Sequence, residues 1–218
     1  MKYLKLNCKP LDNLLGGGIE SGIITEVYGE AGSGKSNLCL QAIRECASKG
    51  KKVAFIDSEG VSIERINQIC KKEYNFKKIL SDIMFFTPDS FDCQEKMIKE
   101  AININDLELL VVDTLNLFYR MNLEEDKDAT MRSFLRQMGY MQMAARKKDI
   151  FILISEQVYT DKNGEIKPFT HRETEHIIKT SIKLEKVGIG KRNAMIMKHR
   201  SQPEGKTASF VITSCGLE

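Results

Sequence analysis

The segment that most constrains this chain is Gly29-Glu30-Ala31-Gly32-Ser33-Gly34-Lys35-Ser36, which meets the pattern G-x-x-x-x-G-K-[ST] at every fixed position. Such a segment works only between a buried strand and a helix. Its glycines allow positive φ angles and keep side chains away, so successive N–H groups converge on phosphate oxygens, and the next helix adds its positive end. The flanks supply both elements: an apolar β-rich run at 23–28 precedes the loop and a helical stretch at 36–48 follows. The pattern assigns Gly29, Gly32, Ser33 and Gly34 to a phosphate cradle, Lys35 to the β- and γ-phosphates, and the Ser36 hydroxyl to Mg²⁺. ATP with Mg²⁺ is the expected ligand. A glycine turn with an incidental lysine is the bland alternative, and the strand-loop-helix setting argues against it.

The rest of the chain extends this alternation. Apolar runs at 53–57, 83–87, 109–113 and 150–155 read as strands buried on both faces, separated by helical stretches at 62–74, 91–103 and 130–148. That order implies an α/β fold with a mostly parallel sheet covered by helices on both sides. Beyond residue 177 the pattern changes to 180–187, 193–199 and 208–213 with glycine-bearing turns, a closing antiparallel set. No repeat or linker interrupts the 218 residues, so 1–218 is expected to be a single domain. Ligands of open sheets sit at the carboxyl ends of the strands, where the remaining polar residues should gather.

Leu109-Leu110-Val111-Val112-Asp113 delivers one carboxylate to a strand tip, suited to the Mg²⁺ side of the site, although many strands end in Asp as a helix cap. Hydrolysis needs a group that orients or deprotonates water, and Glu59, just past the 53–57 strand, is the candidate. Asp57 competes with it. Gln157 follows the 150–155 strand, where its amide is placed either to sense the γ-phosphate or simply to open a loop.

These motifs together resemble the RecA/RadA recombinase core. The resemblance is carried by Leu15-Gly16-Gly17-Gly18-Ile19-Glu20, Ile24-Thr25-Glu26-Val27-Tyr28-Gly29-Glu30, Phe55-Ile56-Asp57-Ser58-Glu59-Gly60, Val111-Val112-Asp113-Thr114 and Pro203-Glu204-Gly205-Lys206. It spans nearly the whole chain and implies a RecA-like P-loop core. It also implies that Glu59 activates water, that Asp113 lies beside magnesium and that Gln157 senses the nucleotide. Arg65 and Gln68 match residues that lie against adenine. Lys198-His199-Arg200 resembles a basic pair that reaches the γ-phosphate of a neighbouring subunit, a placement that stabilises transition-state charge only when an interface closes. The chain departs from full-length recombinases in two ways: it begins almost at the core, and it has no Phe-x-x-Ala tether. The resemblance therefore implies an ATP- and DNA-binding accessory or mediator of a main recombinase in repair and recombination, with weak ATP hydrolysis. A self-assembling DNA-dependent ATPase that pairs strands itself and a KaiC-like signalling ATPase are the alternatives.

Charge distribution bears on the partner. The net charge is +3, yet residues 179–206 hold eight Lys or Arg against Glu185 and Glu204. That segment, with Arg120, Lys162, Lys167, His171 and Arg172 in or beside the loops at 119–130 and 158–176, is the candidate DNA surface. Single-stranded DNA is expected, held mainly through backbone phosphates. The first loop also carries Glu124-Glu125-Asp126-Lys127-Asp128, which would repel phosphate. Met131, Leu135, Met138, Met141 and Met143 read as core, with an adaptable partner surface as the second use. Six scattered cysteines without a C-x-x-C pair, no apolar run of membrane length and no secretory signal place the chain in the cytoplasm.

Overall fold

The computed structural model describes residues 2–70, 76–162, 164, 166–169 and 175–218. In chain order the elements are β1 (Tyr3–Leu4), α1 (Lys9–Leu14), β2 (Ile19–Glu20), β3 (Ile24–Gly29), α2 (Lys35–Ala47), β4 (Lys52–Asp57) and α3 (Ile63–Cys70). There follow α4 (Phe76–Ser81), β5 (Ile83–Phe86), α5 (Phe91–Ile102), β6 (Leu107–Asp113), α6 (Leu117–Asn122) and α7 (Lys127–Lys148). The chain closes with β7 (Phe151–Glu156), β8 (Val158–Thr160), β9 (Ile166–Pro168), β10 (Ile178–Lys186), β11 (Lys191–Lys198), β12 (Thr207–Thr213) and β13 (Gly216–Leu217).

Nine strands form one sheet in the order β13-β12-β11-β10-β3-β7-β6-β4-β5. From β10 to β5 every pair is parallel, and from β10 to β13 every pair is antiparallel. This is the α/β arrangement expected from the alternating pattern, and it matches the RecA-like core that the resemblance implies. Side-chain alternation explains how the sheet is covered on both faces. Val53, Phe55, Leu109, Val111 and Leu153 point into a core shared with α1, α2 and α3. Ala54, Ile56, Leu110, Val112 and Ile152 point the other way, into a core shared with α5 and α7. Met138 and Met141 lie fully inside this second core, so the methionine stripe is mainly packing, with Met143 left 49% exposed.

Local chemistry sets the helix ends. Ser90 caps α5 by accepting from Cys93 N at 3.3 Å, and Asp126 caps α7 by accepting from Ala129 N at 3.0 Å. The acidic run is therefore largely the start of α7, with Asp126 as cap and Asp128 in the first turn, where carboxylates favour the positive helix end. The stretch at 119–130 is accordingly not an open loop. It holds most of α6 and the first turn of α7, because the 117–122 segment buries Tyr119 against Phe91 and Phe134 at ring distances of 6.1 and 4.4 Å. Of the helix expected at 62–74, α3 covers 63–70, and 71–74 lie outside the described residues. The short elements β1, α1, β2, α4, α6, β8, β9 and β13 had no periodic signature long enough to read. All six cysteines are free, and no helix among the described residues is long and apolar enough to cross a membrane.

Candidate nucleotide site

The carboxyl ends of β3, β4, β6 and β7 converge on a cavity of about 600 Å³ whose lining includes Gly29, Gly32, Gly34, Lys35, Ser36, Glu59, Arg120, Gln157 and Arg192. The phosphate loop is shaped by glycine at two positions in particular. Gly34 has φ 108° and opens α2 as its N-cap, a left-handed conformation that disfavours side chains. At Gly29 the constraint is space, since a Cβ would stand 2.2 Å from the Leu184 carbonyl oxygen of β10.

Lys35 is buried and folds back on its own loop, donating to the carbonyls of Gly29 at 2.8 Å and Glu30 at 3.2 Å. Burial pushes its ammonium below the ordinary lysine range, opposed by the negative charges of Glu59 and Asp113. Asp113 is wholly buried, and burial pushes its carboxyl upward against hydrogen bonding from Ser155 and Ser36. The Ser155 hydroxyl donates to Asp113 Oδ1. Oδ2 completes no hydrogen bond of good geometry, although Ser36 lies near enough to favour the ionised form. An orphaned buried oxygen beside a serine hydroxyl, at the mouth of a loop of N–H groups, fits a divalent cation and phosphates chemically.

Glu59 and Asp57 separate clearly. Asp57 spends both oxygens on its own turn, accepting from Gly60 N at 2.9 Å and Val61 N at 2.7 Å. Glu59 faces the cavity and accepts from Thr114 Oγ1 at 2.7 Å and from Gln157 Nε2 at 2.5 Å. The other end of the Gln157 amide accepts from Arg120 Nη1. Arg120 lies over the ring of Phe169 at 4.2 Å, and Phe169 packs on Tyr159 at 4.9 Å. Asn116 fixes the Gln157 backbone, donating to its carbonyl and accepting from its N–H, each at 3.0 Å. Two hydrogen bonds and one cation–π contact thus run from Glu59 to Phe169, just past the β8–β9 hairpin.

The other candidates stand further away. Arg65 donates to Asn37 Oδ1, Gln68 Oε1 and the carbonyls of Thr213 and Ser214. It holds α2, α3 and the end of β12 together at the rim, and reaches the cavity only through Asn37, which lines it. Lys198 and Arg200 do not line this cavity. Lys198 donates to the Glu175 carbonyl at 2.7 Å, and Arg200 pairs with Glu20 at 3.2 Å. Lys198 instead borders a second cavity of about 1300 Å³, beyond the β8–β9 hairpin, with Tyr28, Tyr159, Lys162, Lys167 and Lys183.

The basic C-terminal segment is more internally engaged than its charge suggests. Lys183 pairs with Glu185, Arg200 with Glu20, and Lys206 donates to the Asn13 carbonyl at the end of α1. Arg120, read as a DNA candidate, lines the nucleotide cavity. His171 and Arg172 lie outside the described residues. Arg192 also lines the cavity, although its only sequence signal is membership of the basic run and nothing in the chain order says that β11 reaches the phosphate loop.

A nine-stranded sheet with parallel and antiparallel halves, carrying this loop at the tip of β3 and carboxylates at the tips of β4 and β6, defines a RecA-type P-loop core. The Rad51 family profile matches residues 2–218, and the chain belongs to that family. Within it, the chain resembles the RadB proteins. It is 46% identical to the "DNA repair and recombination protein RadB" of Methanococcoides burtonii, over 99% of this chain and 97% of that protein. It is 38% identical to the RadB of Thermoplasma acidophilum, over 95% and 90% respectively. The solved structure described as "Crystal structure of the RadB recombinase" superposes with a TM-score of 0.87 at 35% identity, covering 99% of each chain.

Proposed function

We propose that this chain is an ATP- and DNA-binding protein of DNA repair and homologous recombination, an accessory or mediator of a main RadA-like recombinase with weak ATP hydrolysis. The observation that carries the reading is the line Glu59–Gln157–Arg120–Phe169, which joins a carboxylate in the nucleotide cavity to the hairpin beside the second cavity, where Lys162, Lys167, Lys183 and Lys198 stand among Glu26, Asp161 and Glu175. In this role the loop N–H groups and Lys35 bind phosphate, with Lys35 exchanging its two carbonyl partners for phosphate oxygens. Ser36 and Asp113 would hold Mg²⁺, which would supply neutralisation of phosphate charge. Glu59 orients and deprotonates water, and Thr114 aims it. Gln157 reports the state of the γ-phosphate position to β8 by keeping or releasing Glu59.

The placement of Lys198 and Arg200 outside the chain's own cavity supports a second reading, a self-assembling DNA-dependent ATPase in which a neighbouring copy supplies these cations. ATP turnover with and without saturating single-stranded DNA, beside Lys35→Ala, separates the two. Slow turnover that DNA barely changes, with ATP still bound, supports the mediator. Stimulation of about tenfold or more, lost in Lys35→Ala, supports assembly into a competent inter-subunit site. Failure to bind either ATP or DNA overturns both.

A further inference from the structure

Arg192 belongs to β11, in the antiparallel half of the sheet, yet it lines the nucleotide cavity and is only 9% exposed. Its Nε donates to the Gly32 carbonyl at 3.0 Å, across 160 residues of chain. Its Nη1 donates to the carbonyls of Lys191 at 2.9 Å and Gly188 at 3.3 Å. One guanidinium therefore fastens the middle of the phosphate loop to the β10–β11 turn.

Two features distinguish it from a cation that merely fills space. Among the described residues no carboxylate forms an ion pair with it, and its guanidinium donates to carbonyl oxygens. A buried charge without a counter-ion is costly and favours the arrival of an anion. The second feature is the peptide it holds. The Gly32 carbonyl accepts from Arg192, while the Ser33 N–H on the same peptide donates to the Glu30 carbonyl at 3.1 Å. The C=O and N–H of a trans peptide point in opposite directions, so a bond at each end fixes the plane. That plane immediately precedes Gly34 and Lys35, whose N–H groups open α2.

We propose that Arg192 is a positioning residue of the nucleotide site: it locks the Gly32–Ser33 peptide so that the loop N–H groups are set for phosphate, and its charge is balanced when phosphate binds. This rests on the reading of the cavity as an ATP site. The site is then built from both halves of the sheet, with the parallel strands supplying the loop and β11 supplying its brace.

The test is MgATP affinity by titration calorimetry on the full chain, with the melting temperature of the nucleotide-free protein measured alongside. Arg192→Gln is expected to weaken MgATP about tenfold, equivalent to about 1.4 kcal/mol. Arg192→Lys, which keeps the charge but cannot bridge three carbonyls in one plane, should recover part of the loss. A wild-type dissociation constant in Arg192→Gln overturns the proposal, even if its melting temperature falls, because a purely structural role predicts that pattern. Should Arg192→Gln fail to fold, a wild-type constant in Arg192→Lys overturns it equally. Lys35→Ala is the control for the site itself. If the wild type does not bind MgATP, or Lys35→Ala binds as tightly, the reading of the cavity falls and takes this inference with it.

Discussion

The loops that carry Glu59 and Asp113 rest on a buried polar chain that makes the stability of this protein sensitive to acid. Ser58 Oγ donates to Gln94 Oε1 at 3.2 Å, Gln94 Nε2 to Gln137 Oε1 at 2.9 Å, and Gln137 Nε2 to Ser133 Oγ at 3.3 Å. Ser133 Oγ donates in turn to Glu95 Oε2 at 2.5 Å. Every donor points toward Glu95, which also accepts from Arg136 Nε at 3.0 Å and Nη2 at 2.9 Å and pairs with Lys99 at 3.1 Å. Burial alone would push the Glu95 carboxyl up. The hydrogen bonds from Arg136, Ser133 and Lys99 overcome it and hold the group at about 2, against an ordinary 4.5. A carboxyl depressed in the folded state contributes stability above its unfolded value, and that contribution drains away as pH falls from about 4.5 toward 2. At about 1.4 kcal/mol per tenfold, the ceiling is about 3 kcal/mol. Arg136 and Lys99 are about half exposed, so solvent screening reduces the expected value to about 1.5 kcal/mol. The perturbation is Glu95→Gln, assayed by urea unfolding at pH 7 and pH 3. The wild type should lose about 1 kcal/mol more than the variant between the two pH values, because pH 3 lies between the folded and unfolded values and only part of the contribution has drained there, while the other carboxylates cancel in the comparison. Equal losses in both proteins refute the reasoning.

Further outcomes follow from the same geometry. Glu59→Gln should retain MgATP binding by calorimetry and lower turnover by about 10²-fold or more, because it removes the base while leaving the phosphate loop intact. Gly29→Ala places a methyl 2.2 Å from the Leu184 carbonyl, so β3 and β10 must part; a stability loss of about 1–3 kcal/mol is expected in denaturant titration. Phe134→Ala empties a fully buried position against Tyr119 and should cost about 3–5 kcal/mol in the same assay. Asp126→Ala removes the α7 cap and should cost only about 1 kcal/mol.

The chain's own order of residues determined the parallel core and the phosphate loop, and it marks Lys35, Ser36, Glu59, Asp113 and Gln157 as candidates for the site. These rest on local information: a strand buried on both faces reads as an unbroken apolar run, and the residues at its tip are adjacent in sequence. Position past the strand favours Glu59 over Asp57 but shows no contact, and only the folded turn has Asp57 occupied by Gly60 and Val61. The fate of the basic C-terminal segment was not legible in the sequence. Which lysines meet solvent depends on distant partners such as Asn13 and Glu20, 193 and 180 residues away along the chain. By sequence the acidic run reads as a repulsive loop, whereas in the fold Asp126 caps α7. Arg192 is the clearest case, since only the pairing of β10 with β3 brings β11 beside the phosphate loop. Local periodicity writes an element into the sequence, whereas the neighbour it packs against is decided by burial of the whole chain at once.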